Sequence, residues 1–472
     1  MKRTRWILPL ALLLLLAPLA QAREAPSAPT GVPGVSAAQL TPGYWIARLQ
    51  QPDAVVLDAA AIATRNARLQ QLDPSMHDLA ALPAILPAAQ VRGWIEGLAD
   101  APGKPLYDEA GRPVPTSTLQ AILANRALDQ VADAPAGFAL VVRRAALRTF
   151  PTGLRVFSEA GDADIDRFQE SALFPGTPVA VAHASADGAW RFVVSPRYAA
   201  WIAADAIATG PRDTVLAYAT REPHRLVTGA QVRTVFTPQQ PALSQLLLDM
   251  GTRVPVLADW PPGKPVNGQH PYASHVVELP LRKPDGSLAL APALLQRVAD
   301  TAGAPLPLTR ANLIHQAFRF LGERYGWGHS YDARDCSGFV SDVYRSMGVL
   351  MPRNTRDQAV SPAFDKRVFG PGDDHATRVA AARALEVGDL VYIPGHVMLA
   401  IGRVDGEPYV IHDTSGASLF DADGHLERLH LNGVSVTPLL PLRVDADTTW
   451  VDRITSIVRT RPSPDTEATR QP

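Results

Sequence analysis

The chain has 472 residues, with 45 basic and 46 acidic side chains and a formal charge of −1, a length that corresponds to roughly three domains. Charges of both signs are interspersed, which argues against nucleic acid as the partner. Proline (43) outnumbers glycine (33), favouring several small domains on stiff connectors over one large doubly wound sheet.

Lys2, Arg3 and Arg5 open the chain, Ile7 to Leu19 is apolar apart from Pro9 and Pro18, and Ala20-Gln21-Ala22 follows. A basic start, a short apolar run and a small-x-small site make residues 1–22 an expected signal peptide. The run falls short of the about 20 residues that span a bilayer, and no later segment is apolar enough. The expectation is an exported, soluble, periplasmic protein with no integral membrane segment after cleavage. Residues 23–40, rich in Pro, Ala and Gly, read as a disordered leader. From 41 to 133 apolar residues recur at helical spacing, as at Tyr44, Trp45, Ile46 and Leu49, with Pro83, Pro87, Pro102 and Pro105 as breakers. This stretch reads as short helices packed on something else.

At Phe138 the pattern changes. Phe138 to Val142 and Trp190 to Ser195 have the β-branched and aromatic content of strands, and Asp187-Gly188 is a hairpin turn before the second. Close turn signals suggest a small β-barrel over 138–210. A second such block, 211–292, has turns at Thr228-Gly229 and Asp285-Gly286 and a loop at Pro261-Pro262-Gly263.

Helical periodicity returns at Leu308, with Thr309 as N-cap, a stripe of Leu313, Ile314, Ala317, Phe318 and Leu321, and Gly322 as stop. A second helix opens at Asp335-Cys336, buries Phe339, Val340, Val343, Tyr344 and Met347, and stops at Gly348. Strands follow at 389–393, 396–404 and 408–412. Helices before antiparallel strands make 300–445 an α+β domain, and 459–472 reads as a flexible tail.

Cys336 is the only cysteine. A lone thiol in an exported chain cannot close an internal disulfide and stays open to oxidation, so its presence points to chemistry at sulfur. At a helix N-terminus the dipole and unpaired N–H groups favour the thiolate and offer donors to an oxyanion. His396, at the start of a strand after Pro394-Gly395, is the candidate general base. His412, sixteen residues on, is the candidate for fixing its tautomer. Both rings must share a sheet face, so paired residue numbers must sum to an even value. The Asp405-Gly406 loop is then odd in length or the hairpin carries a bulge, because an ordinary two-residue turn would put the rings on opposite faces. Asp373-Asp374-His375 reads as a loop cluster, and no metal site or cofactor is expected.

Several motifs in order carry a resemblance: Tyr325-Gly326-Trp327-Gly328, Arg334-Asp335-Cys336-Ser337-Gly338-Phe339, Pro352-Arg353-Asn354-Thr355 with Gln358, Gly388-Asp389-Leu390-Val391-Tyr392, Gly395-His396-Val397-Met398-Leu399 and Ile411-His412-Asp413. Over about residues 300–440 the chain resembles the NlpC/P60 family of cell-wall cysteine peptidases. Leu147 to Thr152, Asp164 to Gln169 and Asp187 to Trp190 look like the bacterial SH3 module of one branch of that family. Residues 214–290 resemble a second module more weakly, and 40–130 that branch's helical N-terminal stabilising region.

The resemblance implies a multidomain protein with a papain-like α+β catalytic domain behind two SH3-like barrels. It implies hydrolysis of peptidoglycan stem peptides between γ-D-Glu and the diamino acid, with no cofactor. Cys336 would be the nucleophile, His396 the base and His412 the orienting residue, while Asp335 and Ser337 would bind the free amine of L-Ala. Helix capping is the alternative for that pair. The family often has Trp-Gly-Gly where this chain has Trp327-Gly328-His329, so His329 either narrows the pocket or joins its polar set. A silent wall-binding protein, and an amidase or acyltransferase on the same scaffold, are the competing readings.

Overall fold

The computed structural model describes residues 30–421 and 423–460. The expected signal peptide at 1–22 and most of the expected tail lie outside the described residues.

The C-terminal domain is built on a six-stranded antiparallel sheet. Its order is Asp365–Val368, Ser456–Arg459, Leu390–Ile393, His396–Val404, Glu407–Thr414 and Gly433–Pro438. Helices Arg310–Phe318 and Cys336–Arg345 cover one face. Thr309 caps the first as expected, accepting from the Asn312 N–H at 3.1 Å. Phe339, Val340, Val343, Tyr344 and Met347 of the second segment are fully buried against the sheet, each burial stabilising the fold by roughly 1.5–3 kcal/mol. Helix His375–Arg383 covers the other face through Ala381 and Ala382, with Trp450 and Ile454 beside it. Asp374 caps that helix and the Gly370 N–H donates to Asp373, which gives the Asp373-Asp374-His375 cluster a structural use.

Two expected boundaries need correction. Strand Ser456–Arg459 lies inside the sheet, so the domain does not end at 445, and Arg459 at the start of the expected tail pairs with Asp365. Ile457 is buried on one face and Val458 on the other, and a four-residue strand with no turn signal before it leaves little periodicity to detect. Residues 30–40 are not a disordered leader. Val35 joins the main core, Ala37–Leu40 forms a 3-10 turn, and the carbonyl of Gly34 accepts from Tyr409 Oη at 2.6 Å.

The N-terminal helices pack on two different neighbours. Ala59–Leu72 buries Ile62 and Leu69 in the C-terminal core, and Asn66 bonds both the Gly348 carbonyl and the Leu350 N–H. Ala88–Leu98 instead packs Val91 and Ile95 on Phe192 and Trp201 of the first β module. That module has seven strands between Gly137 and Thr209, and Gly188 at φ +70° serves the expected Asp187-Gly188 turn. The second β unit starts with a helix, Arg212–Tyr218, and runs past the expected limit of 292. Its hairpin Ser274–Arg282/Leu288–Gln296 and the strand Thr301–Ala302 extend it, and its strands fall into one three-stranded and two two-stranded sheets. No helix among the described residues is long and apolar enough to cross a membrane.

Candidate active site

Cys336 is the first residue of the helix Cys336–Arg345, capped by Asp335, and only 5% exposed. Its sulfur lies 3.6 Å from Thr355 Oγ1 and 4.0 Å from the carbonyl oxygen of Gly395, the residue before His396. Nε2 of His396 is 2.8 Å from Nδ1 of His412, and Nε2 of His412 is 3.0 Å from Thr437 Oγ1. Trp450 packs edge-on against both rings, with centroid distances of 5.3 and 5.6 Å. The structure thus brings Cys336, His396 and His412 to one end of the sheet. Thr355 stood in the Pro352-Arg353-Asn354-Thr355 motif without an assigned role, and Thr437 and Trp450 were missed because neither belongs to a periodic element long enough to stand out.

A bulge satisfies the parity condition. Asp405 and Gly406, at φ +51° and +84°, make the ordinary two-residue turn that by itself would separate the rings. Val404 faces Glu407 and Gly402 faces Tyr409, odd sums, but beyond Ile401 the register shifts and Leu399 faces Ile411, an even sum. Gly402 sits at φ +146° beside the extra residue, where a Cβ would come within 3.0 Å of the Trp45 ring.

The hydrogen-bond chain couples the two imidazole tautomers, so the direction of one bond fixes the other. With Thr437 Oγ1 accepting from His412 Nε2–H, His412 Nδ1 accepts from His396 Nε2–H, which leaves His396 Nδ1 free to take a proton. Burial pushes the Cys336 thiol up to about 12, aided by the charge of Asp335. Burial also pulls His396 down to about 4 and His412 well below its usual value. Burial thus works against the thiolate that the helix N-terminus favours, and it favours neutral imidazoles.

Asp335 and Ser337 belong to an internal network around Arg353. Asp335 accepts from the N–H groups of Gly328 (3.1 Å) and Gly338 (2.8 Å), from Ser337 Oγ (3.0 Å) and from Arg353 through Nη1 (3.2 Å) and Nη2 (2.7 Å). Arg353 Nη1 also donates to Ser337 Oγ, and its Nε to Ser171 Oγ of the first β module at 2.6 Å. Asp413, next to His412, is fully buried with neither carboxylate oxygen hydrogen-bonded, and burial raises its pKa well above the usual range.

Residues 322–429 match the family model "NlpC/P60 family" and residues 155–203 match "SH3 domain (SH3b1 type)". The C-terminal domain is an NlpC/P60 domain. A solved NlpC/P60 endopeptidase from Photobacterium damselae subsp. piscicida is similar across 88% of this chain and 96% of its own, with 16% identity and a TM-score of 0.69. An NlpC/P60 family protein from Bacillus cereus aligns over 69% of this chain and all of its own, at 21% identity and a TM-score of 0.47. No curated protein matches the chain.

The SH3 domain docks on the NlpC/P60 domain along the strand Gln169–Leu173 and through Arg144, which bonds His329, Asp332 and Ala333, and Asp164, which accepts from Arg324 and Asn432. Gln169 Nε2 donates to the Gly328 carbonyl at 2.7 Å, and Trp327 Nε1 donates to the Gln169 carbonyl at 3.0 Å. Ser171 holds Arg353, and Glu170 accepts from Tyr198 Oη on the same wall. His329 joins the polar set of the NlpC/P60 domain. Its Nδ1 lies 2.9 Å from Arg353 Nη2, its ring meets Phe174 of the SH3 domain edge-on at 5.7 Å, and it is 3% exposed. Its φ of +65° is the left-handed conformation that glycine adopts freely. Gly338 makes room for it, since a Cβ there would lie 2.5 Å from the imidazole.

Proposed function

We propose that this protein is an exported cysteine endopeptidase acting in the periplasm on peptidoglycan stem peptides. Its target is the bond between γ-D-Glu and the diamino acid in peptides with a free N-terminal L-Ala. The observation that carries this reading is the 2.8 Å contact between His396 and His412 beside the sulfur of Cys336.

Cys336 Sγ attacks the γ-glutamyl carbonyl carbon and its proton passes to His396 Nδ1, so thiolate and imidazolium form together and stabilise each other in the dry site. The N–H of Cys336 at the helix start faces the oxyanion. His396 then protonates the leaving amine, and the thioester is hydrolysed by water that His396 deprotonates. Five hydrogen bonds already reach the Asp335 carboxylate. In this reading Asp335 and Ser337 therefore shape the amine end through Arg353 and the SH3 wall at Ser171, more than as free acceptors. The second β unit serves as a further SH3-like module.

The test is mass spectrometry of digests of L-Ala-γ-D-Glu-diaminopimelate and of the same peptide attached to muramic acid. Release of L-Ala-D-Glu from the free peptide alone, lost in Cys336→Ala, is expected. Equal cleavage of both substrates refutes the free-amine requirement, and activity retained in Cys336→Ala removes the sulfur from the mechanism.

A further inference from the structure

A second site lies away from the cysteine. A cavity of about 270 Å³ opens where the SH3 domain, the second β unit, the helix Ala59–Leu72 and the end of the Cys336–Arg345 helix meet. Arg197, Arg253, Arg345 and Arg353 line it, no carboxylate does, and neither Cys336 nor either histidine of the triad reaches it. Three of the four guanidinium groups have counter-ions: Arg253 with Glu222 at 2.8 Å, Arg345 with Asp342 at 2.8 Å and Arg353 with Asp335 at 2.7 Å.

Arg197 has no ion pair or hydrogen bond among the described residues. It projects from the turn between strands Trp190–Ser195 and Tyr198–Ala203, and the surface it retains faces the cavity. Burial and the nearby charges of Arg345 and Arg353 bring its pKa down to about 9 against the opposing charge of Asp342, so it stays charged at neutral pH.

A half-buried guanidinium beside two others, with the charge of Asp342 nearby but no hydrogen-bonded carboxylate of its own, leaves its donors unsatisfied by protein. An anion in the cavity would relieve the repulsion and supply acceptors for the planar guanidinium fork. We propose that this cavity binds a small oxyanion, a carboxylate or phosphate group, through Arg197 with Arg345 beside it. Its volume admits such a group on a small molecule and is too small for a glycan strand. Arg353 forms part of the wall and also holds Asp335 and Ser337, so the bound anion would lie one residue from the groups that flank the nucleophile.

The experiment is calorimetric titration of the whole protein with inorganic phosphate and, separately, with succinate, at an ionic strength held constant with chloride. Saturable binding is expected, weakened about tenfold or more in Arg197→Gln, as for loss of a charge-assisted hydrogen bond. Cleavage of the free peptide without added anion should be unchanged in that variant. Binding of phosphate alone, or of succinate alone, identifies which source the site takes. Absence of saturable binding by either, or unaltered binding in folded Arg197→Gln, overturns the proposal. Should that variant fail to melt cooperatively, Arg197→Lys keeps the charge but loses the fork, and equal binding by it overturns the proposal as well.

Discussion

Arg353→Met tests whether the Arg353 network is a coupled unit. The substitution removes hydrogen bonds to Ser171, Ser337, His329 and both oxygens of Asp335, and strands a carboxylate that is only 8% exposed. Breaking a buried pair by removing one partner typically destabilises by about 3–5 kcal/mol. Asp335 keeps its bonds from Gly328, Gly338 and Ser337, which places the expected loss near 3 kcal/mol, at the lower end of that range. Adding Asp335→Asn removes the stranded charge. The double variant should then lose less than the sum of the single variants by about 1–3 kcal/mol, with the helix cap retained because asparagine caps about as well as aspartate. Urea denaturation followed by tryptophan fluorescence gives the four corners of the cycle. A loss below about 1 kcal/mol in Arg353→Met, or strict additivity in the cycle, would refute the reasoning.

Three further outcomes are expected. His396 and His412 have lowered pKa values when folded, so the stability they contribute is present above the usual 6.5 and is lost as pH falls, for His396 toward about 4. For His396 this is at most about 3 kcal/mol. The urea midpoint should therefore drop between pH 7 and 4.5, and drop less in His396→Gln. Comparison with that variant separates the histidine from Asp413, Asp249 and Glu323, whose raised values act in the opposite direction. Thr437→Val removes the hydroxyl that hydrogen-bonds His412 Nε2 and, in the proposed mechanism, sets its tautomer. It should lower kcat on the free peptide by about 10- to 100-fold with little change in KM, and an unchanged kcat would show that Thr437 does not set the tautomer. Truncation after Thr455 removes a strand from inside the sheet and should abolish the cooperative melt followed by circular dichroism; a retained melt contradicts the topology.

The site was legible where a local rule reached it. Cys336 at a capped helix start, two histidines on adjoining strands and the parity condition on their hairpin all follow from spacing and alternation. The upward push of burial on the Cys336 thiol was not legible, because burial is a tertiary property. Arg353 stood in a recognisable motif, yet its partners Ser171, Asp335 and His329 come from separate stretches of chain, so its role emerged only with the fold. Strand Ser456–Arg459 and Trp450 escaped notice for a plainer reason: each element is too short to show a period. Val35 was hidden by the Pro- and Ala-rich composition around it, although it is buried in the main core.

The bulge at Ile401 bears on how such sequences are aligned. The two histidines need an even register, and one odd residue anywhere between them supplies it. A relative with a three-residue turn and an unbulged strand would hold its imidazoles on one face in the same way. An insertion at Asp405-Gly406 and a deletion at 401 are thus compensating changes, and paired gaps across this hairpin would signal a different route to the same geometry, not a lost site.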